Sequence, residues 1–270
     1  MPEASANPAA PVSPVGRAAY QFSTAQKVYL WLSSFSLACL LIADIVGVKL
    51  FRVPFPGSFS ITMPFSDVTY DSVTHTCGML TFPVTFLITD LLNEYYGKKA
   101  ARRVVWIGFS MAMFVFVVVN IAQAMPSWDV PFNVKPEAFD AIFGSAKIMY
   151  VASVTAYLVG NFCDIAVFGV FKRLTGGRFI WLRATGSTVV SQMIDSFIVT
   201  YLAFGLGRTL FEGGGEAMPF GEIVKTAATG YTLKFVIAVG LTPIIYLGHK
   251  MMRSWFGLTP MPPEESTRAG

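Results

Sequence analysis

The chain has 270 residues, 54% of them hydrophobic and only 13% charged, with a mean hydropathy of +0.56. A soluble domain carries roughly 25% charged residues, so a soluble fold is excluded; the length suits about six membrane spans of ~20 residues each. The formal charge of +4 does not point to nucleic acid, because Lys and Arg cluster at the ends of apolar runs instead of forming a continuous stripe.

Residues 1–26, rich in Ala, Pro and Ser without apolar periodicity, read as a disordered cytoplasmic tail. The first apolar run, about 28–50, is too long for a signal-peptide core and carries Asp44. Residues 51–76, punctuated by Pro54, Pro56, Gly57 and Pro64, read as an extracytoplasmic loop with short extended pieces. Further runs fall at about 77–97, 103–125, 147–171, 184–208 and 226–250. The expected architecture is therefore an all-α membrane protein, with a six-transmembrane-helix domain over 27–253 and a flexible cytoplasmic tail over 254–270. Pro83 and Pro243 are expected to break spans locally, and Gly160, Gly186, Ser187 and Gly240 to permit close helix approach.

Cytoplasmic loops retain Lys and Arg. With an even number of spans, Lys27, then Lys98, Lys99, Arg102 and Arg103, then Lys172, Arg173, Arg178 and Arg183, then Lys250 and Arg253 all fall on one side. Both termini are thus expected in the cytoplasm. Cys39, Cys77 and Cys163 have no metal-ligand spacing, and His75 and His249 read as interfacial side chains, so no metal site, cofactor or catalytic residue is expected.

An ionisable group at bilayer depth is costly and normally faces a polar cavity or a partner. In the second span, Asp90 and Glu94 lie one turn apart on one face with Asn93 beside them. The fourth span carries Asn161 with Asp164, and the fifth repeats the spacing with Gln192 and Asp195, to which Thr188 and Ser191 add a polar stripe. Such a stripe must face protein or water. The sixth span adds Tyr231 and Lys234. A Lys234 pairing with Asp195 or Asp44 is the plain structural reading, and for Glu94 it is a salt bridge with the nearby basic loop.

The stretches FPVTFLITDLLNEYYGKKAARR, ASVTAYLVGNFCDIAVFGVFKR, STVVSQMIDSFIVTYLAF and YTLKFVIA, in this order, resemble the queuosine precursor transporter family, a branch of the vitamin uptake transporter group, over roughly residues 28–253. The resemblance implies a bundle like the substrate-binding subunits of energy-coupling factor transporters. It also implies import of 7-deazaguanine bases, 7-cyano-7-deazaguanine or its aminomethyl relative, across the bacterial inner membrane for queuosine salvage, and a homodimer as an option. A guanine-like base presents a ring N–H beside an exocyclic amino group, which one carboxylate accepts together, and a carbonyl that an amide can donate to. Asp195 or Asp164 would take the donor edge and Gln192 and Asn161 the remaining polar atoms. Tyr157, Phe162 or Phe197 would stack on the ring, with Asp90 and Lys234 shaping the cavity or coupling.

The chain lacks a G-x-x-x-x-G-K-[ST] phosphate loop and so cannot hydrolyse ATP alone. A solitary carrier is the first reading and a binding subunit needing partner ATPases the alternative. An intramembrane aspartyl protease built on Asp164 and Asp195 is disfavoured, because GNFCD and SQMID lack glycine-flanked aspartates.

Overall fold

The computed structural model describes residues 22–54, 56–57, 60–62, 69–143, 147–207, 209 and 216–262. The expected N-terminal tail falls largely on residues 1–21 and the expected C-terminal tail in part on residues 263–270, outside the described residues. Helix α1, Thr24–Val46, begins inside the stretch read as a tail, because Ser23 and Gln26 form a reciprocal capping box that satisfies the first free N–H groups.

The expected extracytoplasmic loop holds two antiparallel ribbons. Strand β1 (Leu50–Pro54) pairs with β4 (Ser72–Thr76), and β2 (Ile61–Thr62) with β3 (Thr69–Tyr70). A 3-10 turn, Cys77–Leu80, then packs so tightly on α1 that a Cβ at Gly78 would lie 2.8 Å from the Ala43 carbonyl oxygen. Helix α2, Phe82–Ala124, follows with Pro83 in its first turn, so this proline starts the helix and does not break it.

Helix α2 is continuous except at Gly97, whose φ of 80° and ψ of 171° lie in a region essentially reserved for glycine. Thr81 donates to the Cys39 carbonyl and Tyr96 to the Ala25 carbonyl, so the first arm runs antiparallel to α1. Tyr29 donates to the Ala100 carbonyl while Leu40 packs on Gly108, so the second arm runs parallel to α1. The break at Gly97 is therefore a reversal.

A short helix α3, Pro136–Phe143, lies in a stretch where the sequence shows no span. Helix α4 covers Lys147–Leu174, and α5 covers Ile180–Thr200, running on as a π-helical turn over Tyr201–Leu206. The last expected span is two pieces, α6 (Phe220–Gly240) and α7 (Thr242–Ser254), parted at Leu241 just before Pro243, as that proline leads one to expect. Among the described residues five helices are long and apolar enough to cross a membrane, the second being the whole stretch Cys77–Ala124. The protein is a multi-pass helical membrane protein.

Leu40, Ile88, Leu92, Val105, Val154 and Ile165 form the apolar core between α1, both arms of α2, and α4. Trp106, Phe114, Ile121 and Val236 point outward, as lipid-facing side chains do. Of the small residues expected at helix contacts, Gly160 abuts Asp195 and Gly186 abuts Phe171, whereas Gly240 faces open space.

A Cβ at Gly97 would also lie 2.9 Å from the Met261 sulphur. Gly97→Ala is therefore expected to destabilise the protein by about 1–3 kcal/mol, read as a lower midpoint of thermal unfolding in detergent; an unchanged midpoint would remove the reversal's dependence on glycine.

Candidate functional site

The buried polar side chains form three layers down the bundle. At the end nearest the β ribbons lies a cavity of about 280 Å³ whose lining draws on α1, both arms of α2, α3, α4, α5 and α6. Its polar groups include Asp44, His75, Asn120, Lys147, Asp195 and Lys234, and Phe82, Phe116 and Tyr150 give it aromatic walls. The Phe116 and Tyr150 rings stack at 5.3 Å with 17° between their planes, and the Lys234 ammonium sits 5.8 Å from the Phe82 ring centre.

Lys234 donates to Asp195 at 2.5 Å, the pairing that the plain structural reading anticipates. Asp44 has no such cation. It faces the Tyr150 hydroxyl, but Tyr150 gives its proton to the Ala112 carbonyl at 2.8 Å, and Asp44 Oδ2 is buried without a donor. His75, read from the sequence as interfacial, lines the cavity. Burial, reinforced by the Lys234 ammonium, lowers its pKa to about 4, so the imidazole is neutral at physiological pH. Its Nδ1 accepts the Thr76 N–H at 2.8 Å, which leaves the ring proton on Nε2 as a donor.

One helical turn further along α5 is the second layer, where the remaining expected site residues gather. Thr89 donates to Asn161 Oδ1 at 3.2 Å, and Asn161 donates to the Tyr157 carbonyl at 2.9 Å. Ser191 lies 3.1 Å from both Asp164 Oδ1 and the Thr188 carbonyl. The Asp90 and Asp164 carboxyls face one another, both buried. Gln192 is buried with its Nε2 unpartnered. Tyr157 packs its hydroxyl against Gly108, while Phe162 lies against Trp106 and Phe197 stacks on Tyr201, outside the cavity lining.

The third layer is an ion cluster at the Gly97 end. Glu94 is held by Arg183 at 2.7 Å and by Lys172 at 3.1 Å, all three buried. The expected partner was the basic loop beside Glu94; the partners instead come from α4 and α5, because the helix ends converge there. Asn93 donates to the Ile165 carbonyl at 3.3 Å, which ties the same arm of α2 to α4. His249 is also buried, its Nδ1 3.0 Å from the Tyr95 hydroxyl, which corrects its reading as interfacial.

The family model described as "Putative vitamin uptake transporter" matches residues 76–248, which hold nearly all of these polar side chains. A Bacillus subtilis protein named "Probable queuosine precursor transporter" is 31% identical over 182 residues, covering 67% of this chain and 74% of that protein. The chain belongs to the queuosine precursor transporter family. An Escherichia coli member named "Queuosine precursor transporter" is 28% identical over 183 residues, covering 66% of this chain and 69% of its own. A Haemophilus influenzae member is 25% identical over 183 residues, covering 66% and 71% of the two chains. No solved structure matches this chain.

Asp44, the cavity residue on the first span, lies before the segment matched by the family model. Sequence reasoning placed it among the intramembrane charges, but gave no sign that His75, Asn120, Phe116 and Tyr150 would join it. Only the fold-back at Gly97 brings the far end of α2 to α1.

Removing one partner of a buried ion cluster costs about 3–5 kcal/mol, because the remaining charges stay buried. Glu94→Gln should accordingly lower the yield of monodisperse protein and its thermal midpoint sharply, more than the loss of an exposed pair such as Arg52–Asp71 does. Equal effects of the two changes would show that the cluster is not a structural anchor.

Proposed function

We propose that this chain is a solitary carrier that imports 7-deazaguanine bases, chiefly 7-cyano-7-deazaguanine, across the bacterial inner membrane for queuosine salvage, and is not an enzyme. The observation that carries the reading is the cavity: a mostly apolar, aromatic-walled space whose Asp44 carboxylate forms no ion pair among the described residues and has one oxygen without a donor. Its volume of about 280 Å³ suits a bicyclic base, lying just below the ~300–1,000 Å³ of drug-sized pockets. The names of the relatives support the cargo class.

In this reading Asp44 accepts the ring N–H and exocyclic amino group of the base, with Asp195 as the second carboxylate. Asn120 and the His75 Nε2–H face the carbonyl, and Phe82 and Phe116 contact the ring. Lys234 holds Asp195 in place and keeps the cavity from being strongly anionic. Asn161, Asp164, Gln192 and Asp90, with Thr188, Ser191 and Tyr157 around them, lie beneath the cavity floor, on the route the base takes inward. The reversal at Gly97 supports counting the two arms of α2 as separate spans, which makes six and leaves both termini in the cytoplasm. The cavity then opens outward, and the accumulation of Lys and Arg at the opposite end fits that orientation.

The test uses a bacterium that cannot make the precursor and lacks its own transporter, supplied with low external 7-cyano-7-deazaguanine. Expression of the chain should restore queuosine in tRNA. Asp44→Asn is close to isosteric and strands no cation. Loss of a charged hydrogen-bond partner is worth about 1.5–3 kcal/mol, so the external concentration needed for half-maximal uptake should rise at least about tenfold. Restoration that is indifferent to Asp44→Asn would move the base out of this cavity. Uptake by the purified chain in liposomes separates a solitary carrier from a subunit that needs partner ATPases.

A further inference from the structure

We infer that Asp90 and Asp164 share one proton and that this proton is the coupling ion of the transporter, entering with the base. The inference rests on the transport reading above and names the energy source that it leaves open.

Asp90 is 3% exposed and both of its carboxyl oxygens lack a donor from another residue; Asp164 is fully buried and its Oδ2 is likewise without a donor. The two carboxyls are in contact across the interface between the first arm of α2 and α4. Two carboxyls in contact cannot both be ionised in a dry interior, and a proton placed between them supplies the missing donor.

Charge balance points the same way. Among the described residues the buried cations of the bundle are Lys172, Arg183 and Lys234, and the buried carboxyls are Asp90, Glu94, Asp164 and Asp195. Three cations face four fully buried carboxyls, Asp44 being only half-buried in the cavity wall, so one proton brings this inner set to neutrality. The cations are committed elsewhere: Lys172 and Arg183 to Glu94, and Lys234 to Asp195. The groups facing the pair are Glu94 from its own arm, Cys163 from α4, and Arg183, Ser187, Thr188 and Ser191 from α5. From α7, His249 sits among Lys172, Arg183 and Arg253 and is counted as a neutral imidazole.

The pair also lies where coupling requires it. Asp195 is in the cavity wall, and Ser191, one turn or ~6 Å along α5, contacts Asp164. Asp90 in turn stands one turn from Glu94 at the Gly97 end, so the proton sits between the cavity and the opposite face. A sodium ion is the other occupant that two carboxylates could take, and the experiment separates the two.

The purified full chain is placed in liposomes with the membrane potential clamped, and uptake of labelled 7-cyano-7-deazaguanine is followed with the outside more acidic than the inside. At one proton per base, accumulation should reach about tenfold per pH unit, collapse with a protonophore, and fall to equal concentrations in Asp90→Asn and Asp164→Asn. Accumulation driven by a sodium gradient at equal pH, or indifferent to the pH gradient, overturns the inference. A second readout needs no substrate. At neutral pH the infrared spectrum of the detergent-purified, unsubstituted protein should show, beyond any band from the donor-less Asp44, an additional C=O stretch of a protonated carboxyl that is lost in either variant. Its absence from the unsubstituted protein, or its persistence in both variants, overturns the inference as well. If the band behaves as expected but the unsubstituted chain shows no counterflow of the labelled base, the cargo reading fails and the shared proton stands.

Discussion

Everything in this bundle depends on one constraint: a charge buried away from water must find an opposite charge or a proton. Glu94, Lys172 and Arg183 satisfy it together, and because they stand on α2, α4 and α5 their pairing fixes three helices relative to one another. The Lys234–Asp195 pair does the same for α5 and α6 nearer the β ribbons. Replacing such groups with apolar residues would often be no less stable. Their presence at depth is therefore better accounted for by what passes between them than by stability alone.

The two pairings bracket the polar layer and leave different kinds of group open. Above the floor, Asp44 has an oxygen without a donor beside aromatic walls, which is suited to a flat molecule with adjacent N–H groups. Below it, Asp90 and Asp164 have oxygens without donors and are shielded from solvent, which is suited to a shared proton. A glycine that reverses the chain makes the first possible, because Gly97 folds the second arm of α2 back along α1 and so brings Phe116 and Asn120 to the Asp44 wall.

Much of this was legible in the sequence. Hydropathy located the apolar runs up to residue 208 to within a few residues, because burial in lipid leaves a long, uniform apolar signal, while the last, expected at 226–250, crosses as Phe220–Gly240. The 3.6-residue period placed Asp90 with Glu94 and Ser191 with Asp195, and local spacing suffices for residues on one helix. What failed to show was pairing between helices. Arg183 and Lys172 belong to runs of basic residues that mark a membrane face, and nothing in a run tells which member turns inward. His75 and Tyr150 also look ordinary in sequence, since the cavity that they line forms only when segments distant in the chain converge. The two-piece last span was legible because Pro243 carries its own steric signature, and the separate runs at 77–97 and 103–125 already imply a turn between them; that a single residue, Gly97, makes the turn within otherwise helical backbone was not legible.

In the proposed carrier the base enters the cavity beside the β ribbons from outside. Ser153 lines that cavity without belonging to its charged groups. The direct measurement is therefore the rate at which a membrane-impermeant thiol reagent, added outside intact cells, modifies Ser153→Cys in a chain whose Cys39, Cys77 and Cys163 have been replaced. Modification should proceed from outside, and 7-cyano-7-deazaguanine should slow it in proportion to its occupancy. Modification only from the cytoplasmic side, or a rate unaffected by the base in a variant that still transports it, would contradict this.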